Sequence, residues 1–147
     1  MRELAEKGEY KIQDNLKSKI QTEFWGGFCN EPDTLETIKY YWENYNYLID
    51  THTAVAAGVL EKYRKATGDE NIAIFASTAS PYKFCDSVLK AININNLNSG
   101  VELLNQLNQV SGVKIPRRLA ELKNKTRRFD LTAEKSELDQ VVLDFLK

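Results

Sequence analysis

Apolar residues recur along much of this chain at helical spacing. Ile12, Leu16 and Ile20 stand four apart, which predicts one buried face of a helix over residues 12–22. Leu35, Ile38, Trp42 and Tyr45 make the next stripe, opened by Pro32 and by Asp33 and Glu36 at capping-box spacing. Between the two, Phe24-Trp25-Gly26-Gly27-Phe28 breaks the period and predicts a turn packed onto a core. A helix over residues 52–66 follows Asp50 and Thr51, either of which can accept hydrogen bonds from its first-turn amides, and Gly68 ends it. Small residues (Ala54, Ala56, Ala57, Gly58) crowd that helix and permit another element to come close. Glycine lowers helix propensity, so Gly58 points to a steric reason for its presence.

Ile72 to Ala76 is a continuous apolar run between polar flanks, the pattern of a strand covered on both faces. After it the helical period returns. A helix over 85–93 buries Val88, Leu89 and Ile92, and another opens at the Ser99/Glu102 capping pair, turns Val101, Leu104 and Leu107 inward, and stops at Gly112. Pro116 opens a short helix with Leu119 and Leu122, and a last helix from Thr132 buries Leu138, Val141, Val142 and Phe145. One strand cannot satisfy its own backbone groups. Its partners are expected in cryptic strands near 46–49 and 127–131, or in sequence outside this chain, the second carrying more weight because 72–76 looks central. The pattern therefore predicts an α/β fold, mostly helical with few strands, without repeats, low-complexity linkers or a visible domain boundary.

Composition changes little in that picture. The 147 residues are 42% hydrophobic and 28% charged, as in ordinary globular proteins. A net charge of -1 argues against nucleic acid as a general partner, although Lys114, Arg117, Arg118, Lys123, Lys125, Arg127 and Arg128 face only Glu121. Without stacking aromatics or a recognition motif, that segment reads as a solvated helix face and loop. No apolar run reaches the roughly 20 residues of a membrane span, and Met1 to Leu4 open no signal-peptide core. Cys29 and Cys85 lie far apart without zinc spacing, which predicts two free thiols and a cytoplasmic location.

The segment from Ser77 to Lys83 is the strongest place for chemistry. It puts two serines, a threonine and a lysine just beyond the apolar run, where α/β proteins bind ligands. The plainer account is that Ser77, Thr78 and Ser80 satisfy turn amides. His52, the single histidine, falls at a helix start that disfavours the imidazolium, and suits either ligand orientation or a structural hydrogen bond. There is no HExxH, no GxSxG, no phosphate-gripping glycine loop and no clustered metal ligands.

Two motifs carry a family resemblance. Asp50-Thr51-His52-Thr53-Ala54-Val55-Ala56 resembles D-P-H-T-A-V-A, with Thr51 in place of the usual proline. Thr78-Ala79-Ser80-Pro81-Tyr82-Lys83-Phe84 resembles T-A-S/H/N-P-x-K-F, with Cys85 following where proline or lysine is common. Both forms, in this order, are those of the C-terminal portion of threonine synthase, and Glu31 to Ile49 and Pro116 to Asp130 resemble the family's flanking segments. The resemblance implies a C-terminal part of a pyridoxal 5'-phosphate enzyme of the tryptophan-synthase-β fold type (fold type II). It implies conversion of O-phospho-L-homoserine and water to L-threonine and phosphate, with the cofactor as electron sink. Thr78 matches the hydroxyl that approaches the pyridine nitrogen, and Ser80, Lys83 and His52 match supporting positions. The Schiff-base lysine belongs to the family's earlier sequence, so Lys83 is not taken for it, and residues 1–147 are expected to lack that portion. The partners implied are the N-terminal part of the same enzyme and a small-molecule substrate, with self-association of the isolated, inactive chain, and neither nucleic acid nor membrane. The alternative is a non-catalytic interaction or regulatory module made from the same segment.

Overall fold

The computed structural model describes residues 2–94, 99–126, 128 and 131–146. Its described residues form eight α-helices joined by turns and three short 3-10 segments, with no strand among them. The predicted α/β architecture of a fold type II enzyme is therefore corrected to an all-helical one. The cause is the one segment on which that prediction rested. Ile72 to Ala76 is not paired with any other segment among the described residues, and Ile72 and Ile74 are 95% and 94% exposed. An apolar run states what its side chains prefer, while a strand also needs a neighbouring backbone to close its ladder. The expected partner at 46–49 is no strand: Asn46 takes a left-handed conformation as a helix C-cap, and Leu48 and Ile49 fold into the core as a connection. Of the second expected partner, Arg127, Phe129 and Asp130 lie outside the described residues.

The chain forms two compact units, Met1–Ile115 and Pro116–Lys147. In the first, α1 (Arg2–Lys7) and α2 (Asp14–Glu23) bury no residue, so the predicted stripe of Ile12, Leu16 and Ile20 remains about half exposed. The core is made by α3 (Glu31–Tyr45), α4 (Thr51–Thr67), α5 (Cys85–Ala91) and α6 (Glu102–Ser111). Ile38 of α3, Ala54 and Ala57 of α4, Val88 and Leu89 of α5, and Leu107 of α6 are its most deeply buried apolar side chains. Asn30, rather than Asp33, caps α3: its side-chain oxygen accepts from the Asp33 amide at 2.8 Å. Gly68 and Gly112 end α4 and α6 with φ of 71° and 68°, the left-handed geometry that glycine takes without strain. In the second unit, α7 (Arg117–Ala120) follows Pro116 as expected, and α8 (Leu138–Phe145) begins at Leu138 after a 3-10 turn capped by Glu134. Its apolar residues Val142 and Phe145 are 56% and 74% exposed. No helix among the described residues is long and apolar enough to cross a membrane.

The helices α3 and α4 pack closely because Gly58 has no side chain. A Cβ there would lie 2.7 Å from Cys29 Sγ and 3.1 Å from Thr37 Oγ1. Lys62 reinforces the same contact, donating to Asp33 at 2.7 Å and to the Phe28 carbonyl at 2.9 Å. Overpacking commonly costs about 1–3 kcal/mol, against the roughly 1 kcal/mol that alanine gains over glycine inside a helix. Gly58→Ala is therefore expected to lower unfolding stability by about 1 kcal/mol. In a Cys29→Ala background, where the blocking sulfur is gone, the same change should be neutral or stabilising. A urea-denaturation double-mutant cycle with no coupling between the two positions would contradict this account.

Candidate functional site

The approach to the site runs antiparallel to α4. From Gly68 the chain turns back, and Asp69 accepts a hydrogen bond from the Tyr63 hydroxyl at 2.7 Å. Arg64 then donates to the Asn71 carbonyl at 3.0 Å, and the Thr53 and Ser77 hydroxyls meet at 2.7 Å. From Arg64 back to Thr53 the helix rises about 17 Å, and residues 71 to 77 span about 20 Å when extended. The two lengths match, so the segment is pinned at its ends and delivers Ser77 beside the first turn of α4. Ile72 to Ala76, between the pins, donate no backbone hydrogen bond to a described residue.

Asp50 organises that corner. It is 2% exposed and caps α4, with its Oδ1 accepting from the amides of His52 at 2.9 Å and Thr53 at 3.4 Å. The same oxygen lies 3.1 Å from His52 Nδ1, and Oδ2 is hydrogen-bonded to the Thr53 hydroxyl. Burial alone pushes the Asp50 carboxyl up, but the hydrogen bonds from Thr53 and His52 outweigh it and hold the group below the usual carboxylate range. Thr53, itself 8% exposed, links Asp50 to Ser77.

The sequence-predicted residues fall around this core with different degrees of engagement. The His52 side chain is 61% exposed, with its ring centroid 5.5 Å from that of Phe84. Lys83 is exposed, and its ammonium lies 5.4 Å from the Phe84 centroid, so Phe84 has both basic side chains against it. Ser80 caps the 3-10 turn Pro81–Phe84 by accepting from the Tyr82 amide at 3.3 Å. Thr78 is exposed and its hydroxyl makes no hydrogen bond to a described residue. Behind this turn, Tyr82 is buried and donates to the Val113 carbonyl, and the Cys85 thiol is pushed up to about 11 by burial first and by Asp86 second. Sequence reasoning took Asp50 for a possible cap and missed its contacts with His52 Nδ1 and the Thr53 hydroxyl. A signal existed: a capping Asp followed by His and Thr two and three residues later places both side chains on the first turn, within reach of one carboxylate.

These residues do not by themselves fit pyridoxal phosphate. Ser80 is engaged by a turn amide, Lys83 Nζ stands over Phe84, and Thr78 offers one lone hydroxyl, so no phosphate cradle or carbonyl-facing amine is gathered. Among the described residues no group of His, Cys, Asp or Glu side chains is placed to hold a metal ion.

A group whose folded pKa is depressed adds stability above its unfolded value, and that stability is lost as pH falls through the folded one. Asp50→Ala is therefore expected to cost about 1–2 kcal/mol at neutral pH. The difference from wild type should narrow as pH drops below about 4. A difference independent of pH in urea titrations would show that the Asp50 charge contributes nothing.

The profile of the family described as "Threonine synthase, C-terminal" matches residues 53–142. A human protein, "Threonine synthase-like 1" (Homo sapiens), is 30% identical over 95 residues, which cover 65% of this chain and 12% of that protein. Its mouse counterpart of the same name (Mus musculus) is 34% identical over 83 residues, 56% of this chain and 11% of the relative. The yeast "Threonine synthase" (Saccharomyces cerevisiae) is 30% identical over 96 residues, 62% of this chain and 19% of the relative. The chain thus spans between a tenth and a fifth of the length of these relatives. With the profile covering more than half of its residues, the chain belongs to the threonine synthase family and corresponds to its C-terminal part.

Proposed function

We propose that this chain is a non-catalytic interaction module built from the C-terminal segment of the threonine synthase family. The observation that carries this reading is the segment Ile72–Ala76, pinned at both ends while its two isoleucines stand 95% and 94% exposed. Burying one isoleucine contributes about 1.5–3 kcal/mol, so a polypeptide that covers both gains about 3–6 kcal/mol there. An apolar segment held at both ends is a surface for a partner, since it loses less conformational freedom on binding than a free one. The partner that fits best is the remainder of a longer threonine-synthase-type polypeptide, in keeping with the small share of its relatives that this chain spans.

A second reading rests on the two motifs and on the exposed Thr78 hydroxyl. In it the chain is the C-terminal portion of a pyridoxal-phosphate-dependent threonine synthase that turns O-phospho-L-homoserine and water into L-threonine and phosphate. Thr78 would then face the cofactor, with Ser80, Lys83 and His52 supporting that wall, and the remainder of the enzyme would bring the Schiff-base lysine and the phosphate cradle. Pyridoxal phosphate supplies an electron sink when bound.

The two readings separate in a full-length enzyme, where Thr78→Ala should lower turnover and alter the cofactor spectrum under the second and change neither under the first. Both leave the purified chain inactive. With pyridoxal phosphate and borohydride, mass spectrometry is expected to find scattered surface adducts, and no phosphate should be released from O-phospho-L-homoserine. A single stoichiometric lysine adduct with turnover would overturn the module reading. The double substitution Ile72→Asp/Ile74→Asp should leave the stability of the isolated chain within about 0.5 kcal/mol. A loss of several kcal/mol would mean that these side chains are already covered.

A further inference from the structure

The hydrogen bonds around Asp50 have a direction, because an ionised carboxylate only accepts. Thr53 must then give its single hydroxyl proton to Asp50 Oδ2. Having none left, it can only accept across the 2.7 Å contact with Ser77, so the Ser77 proton points at Thr53. What Ser77 offers to solvent is lone pairs alone. By the same logic His52 Nδ1, 3.1 Å from Asp50 Oδ1, carries a proton, which leaves Nε2 as the ring's acceptor when the ring is neutral.

We propose that Asp50 is a positioning residue: through Thr53 it makes Ser77 an acceptor-only hydroxyl, so the wall beginning at Ser77 receives a ligand group bearing N–H or O–H. A deprotonated phosphate or carboxylate oxygen finds no donor at Ser77, although a serine beside a helix N-terminus is where one would be sought. An ammonium, an amide or a protonated hydroxyl fits. When the His52 ring is neutral, its Nε2 and Ser77 Oγ present the same polarity at the start of α4, and both orientations are set by one buried carboxylate. The ligand class rests on reading the Ser77–Lys83 wall as ligand-facing; the direction of the chain does not.

Asp50→Asn separates these statements. Asparagine is as good an N-cap as aspartate, and its amide oxygen takes the place of Oδ1, where backbone amides converge. Its NH₂ then faces Thr53 and donates, so Thr53 turns its proton to Ser77, and Ser77 becomes able to donate outward. Thr53→Val removes the middle link and leaves the cap, so Ser77 is no longer oriented. The experiment is NMR on the full 147-residue chain, in which His52 is the single imidazole. In wild type the neutral ring is expected as the Nδ1–H tautomer, and the Thr53 hydroxyl proton should couple to the Asp50 carboxylate carbon. Titration with methylammonium should move the Ser77 resonances, and inorganic phosphate should leave Ser77 unmoved. Asp50→Asn should reverse that preference, and Thr53→Val should abolish it. An Nε2–H tautomer, or a Thr53 proton directed at Ser77, would overturn the role of Asp50 whatever the family's chemistry. With the correct tautomer, a wild-type Ser77 that responds to phosphate, or not to methylammonium, would overturn the ligand class.

Discussion

One buried carboxylate holds together the candidate site of this molecule. Asp50 is 2% exposed, and its two oxygens are shared among the first-turn amides of α4, the His52 ring and the Thr53 hydroxyl. Burying a charge is costly unless it is hydrogen-bonded on every side. Here the donors all come from one helical turn, so forming α4 and satisfying Asp50 are the same event. The reach of that event extends through Thr53 to Ser77, twenty-four residues away, and so fixes where the extended segment ends and the candidate site begins.

Steric fit sets the other half of the arrangement. Gly58 lets α3 and α4 approach at Cys29 and Thr37, and α3 packs on α5, which carries the Tyr82 turn against the core. A hydroxyl cluster on a loop would ordinarily be mobile. This one lies between a capped helix start on one side and a buried tyrosine on the other, with Ser80 capping the turn between them.

Much of the helical content was legible because caps and periods are local. Gly68, Gly112 and Pro116 punctuate the chain where they were expected, and Ile38, Val88, Leu89 and Leu107 are buried as their spacing predicts. The small residues of α4 were likewise readable as a close approach. Three things were not. The start of α3 moved to Asn30 because two capping signals compete within four residues and only one can be Ncap. The stripes of α2 and α8 have the right period and remain exposed, since periodicity says which face prefers burial and not whether anything lies opposite. The apolar run at 72–76 failed for the same reason in sharper form, having no backbone partner among the described residues. The motifs pointed to Thr78, Ser80, Lys83 and His52 as candidates, and the Asp50–Thr53 link has a local signal, but the Thr53–Ser77 contact joins residues twenty-four apart and leaves no local pattern.

The central claim is that Asp50 anchors an otherwise unpartnered apolar segment, and amide hydrogen exchange on the isolated chain tests it residue by residue. The account predicts strong protection at His52, Thr53 and Ala54, whose amides are bonded to Asp50. It predicts near-unprotected exchange from Ile72 to Ala76. Protection across 72–76 equal to that of the α4 first turn would contradict it, since those amides would then have partners that the described residues do not provide.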